Sequence, residues 1–170
     1  SVYLYFMGRK KEPFSSGALV EAKSVDWGPL LKERPEVDGI TIDGPGSRDL
    51  DDGIEVEQTE DGWNVQVSIA DVSSVVPIGS ELDLAALKRV ETQYLSDGNI
   101  PMIPVVLSEE GLSLLEGEKR PAYTFFVSLD KGYSVTNFRA QETVFTSRKR
   151  MTYDGVGNIM NREKTTDHEY

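Results

Sequence analysis

Four aspartates, Asp43, Asp49, Asp51 and Asp52, lie in one short stretch and are the residues best suited to chemistry. Mg²⁺ is a hard cation that prefers carboxylate oxygens and water as ligands. Gathering carboxylates in a metal-free protein costs free energy by like-charge repulsion, and a bound divalent cation removes that cost. Two metals about 4 Å apart can polarise a phosphoryl oxygen, activate the attacking water and stabilise the leaving oxygen. The stretch is therefore a candidate metal centre for phosphodiester hydrolysis.

The spacing of these aspartates predicts a loop or bulge. Residues 39–42 (GITI) form a predicted strand that delivers the chain to Asp43, and the glycines and proline of residues 44–46 allow a sharp turn. In an ideal strand Asp49 and Asp51 would share one face and Asp52 the other, so a regular strand would not gather them. Spacing alone leaves three interpretations open: metal-dependent catalysis, a structural calcium loop or a plain acidic turn. The full residue order of an EF-hand loop is absent.

Composition limits the chemistry further. The 170 residues are 38% hydrophobic and 28% charged, which is typical of one globular domain. The sequence contains no cysteine, so thiolate zinc sites and thiol nucleophiles are excluded. His168 is the only histidine and lies in a polar tail, which argues against a Ser-His-Asp triad. We expect no membrane partner, because no apolar run is long enough to cross a bilayer, and the lack of cysteine fits a reducing cytoplasm.

Charge is distributed unevenly along the chain. The formal net charge of −11 argues against nucleic-acid binding when it is taken globally. Residues 49–61 are rich in acids, whereas residues 139–153 carry Arg139, Arg148, Lys149 and Arg150. An acidic centre could hold a metal while the basic segment holds phosphates. On charge alone, an ordinary acidic surface that keeps the protein soluble is the better interpretation.

Hydrophobic periodicity predicts an α/β protein of the α+β type, with a mixed, hairpin-rich sheet and flanking helices. The predicted strands, besides the one ending at residue 42, are residues 2–7, 18–24, 53–58, 63–69, 122–129 and 133–145. Turn signals at Asp61-Gly62 and at residues 130–132 predict two hairpins. Predicted helical segments are a turn between Pro29 and Pro35, residues 81–95 behind a capping box, and a helix from Thr152 to about Met160.

Five sequence blocks in order resemble the catalytic (RNB) domain of the ribonuclease II and ribonuclease R family. The first, residues 41–52 (TIDGPGSRDLDD), matches the family's Asp-x5-Asp-x-Asp-Asp signature with all four acids in place. The other blocks are residues 69–73, residues 79–104 in three pieces, residues 107–121 and residues 151–156. The resemblance covers residues 39–156, so we expect a lead-in segment at residues 1–38 and a partial RNB-type domain at residues 39–170.

The resemblance implies a hydrolytic 3′→5′ exoribonuclease that degrades single-stranded RNA to 5′-mononucleotides. It implies Mg²⁺, or Mn²⁺ in its place, held by Asp43, Asp49 and Asp52, with Asp51 helping to position the attacking water. Tyr94 and Tyr153 match family tyrosines that stack on bases or line the RNA path, and stacking suits an enzyme that accepts any sequence. Arg148 and Arg150 are candidate phosphate contacts, although a solvated charge run is an equal alternative.

Two features depart from the family pattern. Ser68 occupies a position that is often histidine, and this change does not touch the metal chemistry. The family's catalytic domain is considerably longer, and its later half carries a phosphate-contacting arginine that no segment here matches. The remaining half of the domain, or a partner chain, is therefore an expected partner besides single-stranded RNA. The alternatives are a truncated or inactive RNA-binding module and a calcium-stabilised structural domain.

Overall fold

Five β-strands pair in sequence order and close into a barrel in the computed structural model, which describes residues 12–95 and 98–163. The strands are β1 (Glu36–Asp43), β2 (Asp52–Thr59), β3 (Gly62–Ala70), β4 (Lys119–Asp130) and β5 (Val135–Thr152). Successive strands are antiparallel, and a parallel pairing of β5 with β1 closes the barrel. The mixed, hairpin-rich sheet expected from the sequence is confirmed, and closure is the feature that the sequence pattern did not predict.

Both predicted hairpins are present. Thr59 pairs with Gly62, so a two-residue turn joins β2 to β3. The Asp130 side chain accepts hydrogen bonds from the backbone amides of Gly132 (2.8 Å) and Ser134 (2.9 Å), which fixes the turn between β4 and β5. A short acidic side chain that bonds its own backbone ahead is a common turn device, so local sequence was sufficient here.

Phe145 on β5 fills the barrel between two glycines. Its side chain is fully buried, and an added Cβ at Gly39 would lie 3.0 Å from its ring and 2.6 Å from the Ile54 carbonyl oxygen. The same ring lies against Gly53 on β2. Buried hydroxyl groups also pair within the barrel strands. The Thr124 hydroxyl lies 2.8 Å from that of Ser68 and 2.7 Å from that of Thr143. Each buried hydroxyl therefore has a partner.

The chain divides into two compact units. The barrel unit comprises residues 27–71 and 112–170, and it includes helices α2 (Trp27–Lys32) and α4 (Tyr153–Glu163). Its buried apolar residues are Leu50, Ala70, Leu112, Leu114, Ala122, Val144 and Phe145. Within this unit Arg34 forms a 2.8 Å ion pair with Asp71, and both side chains are almost fully buried. Pairing satisfies two charges that would be costly to bury alone.

The other unit comprises residues 1–26 and 72–111, and its described part is mainly helical. Its helices are α1 (Ser16–Lys23), a 3₁₀ turn (Val72–Ser74), α3 (Glu81–Arg89) and a π-helical turn (Val106–Gly111). Ser80 caps α3 by accepting a 3.1 Å hydrogen bond from the Asp83 amide, as the capping box predicted. Glu21 on α1 accepts hydrogen bonds from the Glu81 and Leu82 amides at 3.2 and 2.9 Å, so α1 and α3 support each other.

Two local predictions in this unit are wrong. Residues 18–24 are not a strand. Ser15 caps helix α1, and the Glu21 side chain accepts a hydrogen bond from the Leu82 amide at the start of α3. The helix predicted to reach Leu95 ends at Arg89, where Val90 adopts a positive φ of 69° that a β-branched residue rarely accepts. Tyr94 consequently lies beyond the helix. The strand predicted at residues 2–7 lies outside the described residues.

Within the described ranges, no helix is both long and apolar enough to span a bilayer.

Candidate metal centre

The acidic loop, defined here as residues 43–52, connects β1 to β2. Asp43 is the last residue of β1, and Asp52 is the first residue of β2. Gly44 accepts a 3.1 Å hydrogen bond from the Ser47 amide, which closes the turn after Asp43. Residues 48–51 then form no regular secondary structure. The loop predicted from strand parity is therefore confirmed.

Main-chain hydrogen bonds fix the second half of the acidic loop. Leu50 is fully buried, and its carbonyl accepts a 2.9 Å hydrogen bond from the Leu114 amide. The Asp51 carbonyl accepts a 2.8 Å hydrogen bond from the Ala70 amide at the end of β3. The buried leucine between Asp49 and Asp51 thus anchors the backbone while both carboxylates remain outside the core.

Asp43 carries a perturbed carboxyl group. Its pKa is raised first by burial and next by the negative charge of Asp52, with a smaller contribution from Asp49. The Arg150 charge and a hydrogen bond from Ser47 work in the opposite direction. Its Oδ2 atom is buried and has no hydrogen-bond partner among the described residues. A buried carboxylate oxygen without a donor is costly, so this atom is suited to a ligand.

Asp51 is the most perturbed carboxyl group of the acidic loop. Loss of hydration is the largest cause, followed by the charges of Asp49, Asp52 and Asp43, and together they raise its pKa from 3.8 to about 6. The whole residue is nonetheless exposed, so solvent moderates the free-energy consequence. The four aspartates therefore lie close enough to repel one another, as a divalent-cation site requires.

The donor chemistry of the acidic loop fits Mg²⁺ better than softer metals, because every candidate ligand is a carboxylate oxygen. The unpartnered Oδ2 of Asp43 is the observation that favours a cation there. Among the described residues, however, no group of three or more His, Asp or Glu side chains is already arranged to hold a metal ion. Binding would require the carboxylates of the candidate ligands to turn toward one another within the loop, which short side chains do readily.

Two of the candidate RNA contacts lie at the acidic loop. The guanidinium of Arg150 donates hydrogen bonds to the Ser47 and Gly44 carbonyls at 2.7 and 3.2 Å, and its charge acts on Asp43. Asp43 pairs in register with Thr152, so Tyr153 directly follows the ladder partner of this candidate ligand. The Tyr153 side chain is 64% exposed. A stacking surface is thus available beside the acidic loop.

The other two candidates lie elsewhere. Arg148 precedes Lys149 on β5, and its guanidinium pairs with Glu55 and, at 3.4 Å, with Asp38. These pairs are exposed, so phosphate could compete for the arginine at modest cost. Tyr94 belongs to the helical unit, and its side chain is 63% exposed. A side chain this exposed is not part of the protein core.

Ser47 and Ser113 were not predicted as site residues. Ser47 acts on Asp43 through its hydrogen bond, and Ser113 contacts the backbone of the acidic loop. Ser47 lies in the turn, and its role could have been predicted from the sequence, because serine hydroxyls in turns often bond to nearby groups. Ser113 is remote in sequence, and no local pattern connects it with the aspartates.

The raised pKa of Asp51 predicts a pH-dependent stability difference. The folded protein holds this proton more tightly than the unfolded chain does. The ionised Asp51 therefore lowers the free energy of unfolding, and this loss is absent below about pH 3.8 and complete above about pH 6. Asparagine mimics the protonated form. We expect Asp51→Asn to leave Tm unchanged near pH 4 and to raise it by about 3 °C at pH 7 without metal, which corresponds to roughly 1 kcal/mol after solvent screening.

Thermal unfolding followed by circular dichroism at both pH values measures this effect. Asp61→Asn, in the hairpin turn after β2, is the matched control for a lost surface charge. Saturating Mg²⁺ at pH 7 should reduce the gain given by Asp51→Asn, since a cation relieves the same repulsion. A gain of equal size at pH 4 and pH 7 would contradict the electrostatic cause.

Comparison with known proteins defines the class. The sequence profile of the RNB domain matches residues 35–170, and the chain belongs to the RNB family. This confirms the resemblance inferred from the five sequence blocks. Exoribonuclease 2 of Psychromonas ingrahamii is 35% identical over 129 residues, covering 75% of this chain and 20% of that protein. Ribonuclease R of Thermotoga maritima is 39% identical over 122 residues, covering 71% and 17%.

Solved structures agree with the sequence comparison. RNase R of Mycoplasma genitalium superposes with a TM-score of 0.79 at 26% identity, covering 92% of this chain and 26% of that chain. That protein has also been solved with ribose-methylated single-stranded RNA and with double-stranded RNA. The chain spans about a fifth of the length of the curated relatives it matches.

Proposed function

We propose that this chain supplies the metal-binding part of a hydrolytic 3′→5′ exoribonuclease, which degrades single-stranded RNA to 5′-mononucleotides in the cytoplasm. The observation that carries the proposal is the buried, unpartnered Oδ2 of Asp43 beside three mutually repelling aspartates. Membership of the RNB family supports the reaction class. The RNA complexes of Mycoplasma genitalium RNase R support the substrate class.

The proposed roles follow from position. Asp43, Asp49 and Asp52 would hold Mg²⁺, or Mn²⁺ in its place. When bound, the metal polarises the phosphoryl oxygen and lowers the pKa of the attacking water. Asp51 lies beside these ligands, and its carboxylate oxygen would accept a proton from that water. Arg150 keeps the turn at Gly44 and Ser47 in place.

The RNA contacts are proposed on exposure and charge. Tyr153 presents a half-exposed ring next to the ladder partner of Asp43, where a terminal base could stack. Tyr94 presents a second exposed ring on the helical unit. Arg150 at the acidic loop and Arg148 farther along β5 carry positive charge, and both would help to hold the RNA backbone. The later part of an RNB domain, or a partner chain, would complete the grip on phosphate.

An RNA-binding module that does not cut is the second candidate. It is favoured by one observation, namely that the acidic side chains of the described residues do not yet stand as a metal-holding group. A calcium-stabilised structural domain makes a third, distinct expectation. The three differ in what a divalent cation does: it would support cleavage, would leave RNA bound but intact, or would only raise stability.

The test is release of labelled 5′-mononucleotides from a uniformly labelled single-stranded RNA by the polypeptide that contains this chain, with shortening of a 5′-labelled RNA as the measure of direction. We expect cleavage from the 3′ end that requires Mg²⁺ or Mn²⁺ and that Ca²⁺ does not support. Asp49→Asn should abolish both cleavage and Mn²⁺ binding, whereas Asp61→Asn should leave both unchanged. RNA binding without hydrolysis in every divalent cation would overturn the enzyme and favour the module.

A further inference from the structure

We infer that Ser113 is a positioning residue, whose hydroxyl sets the backbone of the acidic loop around Asp49 so that the loop can take a divalent cation. The inference rests on the proposed function, because it concerns the same carboxylates. Ser113 lies between Leu112 and Leu114, just before β4, and its side chain is fully buried. Its only polar atom is therefore available to protein groups alone.

The hydroxyl bridges the two peptide groups that flank Asp49. Ser113 Oγ donates a 2.8 Å hydrogen bond to the Arg48 carbonyl and accepts a 3.0 Å hydrogen bond from the Leu50 amide. A serine hydroxyl has one donor and two acceptor sites, so it can make both bonds at once. The residue before Asp49 and the residue after it are thus tied to one oxygen atom.

The neighbouring backbone completes the arrangement. The Leu114 amide bonds to the Leu50 carbonyl at 2.9 Å, so residues 113–114 hold Leu50 through both its amide and its carbonyl. Arg120 on β4 donates from Nε to the Ser113 carbonyl at 3.2 Å, which fixes the position of the serine itself. A chain of contacts therefore runs from β4 through Ser113 to the peptide groups on either side of Asp49.

Loss of the hydroxyl would be felt at the acidic loop. Alanine at position 113 would remove the acceptor of the buried Leu50 amide and the hydroxyl that donates to the Arg48 carbonyl. A buried amide that loses its partner relaxes toward one it can reach, because an unmade hydrogen bond is expensive. The Asp49 backbone would move with Leu50, and a cation site tolerates little displacement of its ligands.

The experiment compares Ser113→Ala with Ser68→Ala. Ser68 is also a fully buried serine in the barrel unit, and its hydroxyl contacts Thr124 rather than the acidic loop. We expect similar losses of Tm from the two variants. Mn²⁺ affinity, measured by calorimetric titration with the metal alone, should fall about tenfold in Ser113→Ala and stay within about twofold in Ser68→Ala. Ser113→Cys, which keeps the volume but bonds weakly, should resemble Ser113→Ala.

Amide hydrogen exchange without metal provides the second readout. The Leu50 amide should exchange at least about tenfold faster in Ser113→Ala, with no comparable change in the amides of β3 and β4. Unchanged Leu50 exchange would overturn the inference, and so would wild-type Mn²⁺ affinity in folded Ser113→Ala. If the unmodified chain binds no Mn²⁺, the proposed function fails instead, and the exchange of Leu50 still decides whether Ser113 fixes the loop.

Discussion

Replacing Asp51 with asparagine is expected to lower RNA hydrolysis by about 1,000-fold while Mn²⁺ binding survives. A carboxylate that accepts a proton from the attacking water contributes on the order of 10²- to 10⁴-fold to rate. Asparagine cannot accept that proton, although it keeps the volume and leaves the proposed ligands Asp43, Asp49 and Asp52 in place. Loss of one negative charge should also weaken the repulsion within the acidic loop.

Single-turnover cleavage of a labelled RNA and calorimetric Mn²⁺ titration separate the two effects. Asp49→Asn serves as the contrasting variant, since it should lose binding and cleavage together. The pH profile gives a second signature, because the rate in the unmodified protein should fall in acid as the Asp51 carboxylate becomes protonated. Cleavage by Asp51→Asn within threefold of the unmodified rate would remove Asp51 from the chemistry.

Gly53→Ala should strongly destabilise the barrel unit, with a loss of about 3 kcal/mol. A Cβ at this position would overlap the Phe145 ring, with two further ring carbons at 2.9 and 3.0 Å. The ring cannot retreat, because Gly39 lies against it as well, with an added Cβ there 3.0 Å from the ring. Overpacking a filled core typically costs 1 to 3 kcal/mol.

A double-mutant cycle identifies the cause. Phe145→Leu alone should destabilise the barrel by removing buried apolar surface, and in combination it should recover at least about 1 kcal/mol of the loss from Gly53→Ala. Gly46→Ala is the matched control, because a Cβ at Gly46 would meet nothing within 4 Å. Chemical denaturation gives all four free energies of unfolding. Simple additivity of the two core substitutions would show that the ring is not the obstacle.

Local patterns predicted the elements of the barrel but not its closure. Alternation of apolar and polar residues identified β2 and β3, and turn residues identified both hairpins, because these signals act over a few positions. The loop at Asp49 followed from strand parity and was confirmed for the same reason. Pairing of β1 with β5 joins segments that are far apart in the sequence, and the sequence of neither segment indicates which strand it pairs with.

The errors have a similar origin. Residues 18–23 are helical because Ser15 and the Glu21 contacts with α3 outweigh a weak local preference. The apolar periodicity that predicted a helix to residue 95 continues beyond Arg89. The backbone, however, leaves helical geometry at Val90, so the helix ends at Arg89. Among the site residues, the aspartates and Arg150 were found from residue type. The anchoring of Arg150 to the acidic loop and the bridge made by Ser113 depend on tertiary contacts alone.

Closure of the barrel also sets the order in which the molecule can be assembled. Asp43 pairs with Thr152, and Leu50 is held by residues 113–114, so the acidic loop cannot settle on a nascent chain until β5 has been synthesised. Contacts between residues far apart in the sequence form slowly, because closing the long loop costs conformational entropy before the contact contributes any stabilising free energy. Divalent-cation binding at the proposed site should therefore report on completed folding, and a ribosome-bound chain that lacks β5 should not bind the cation.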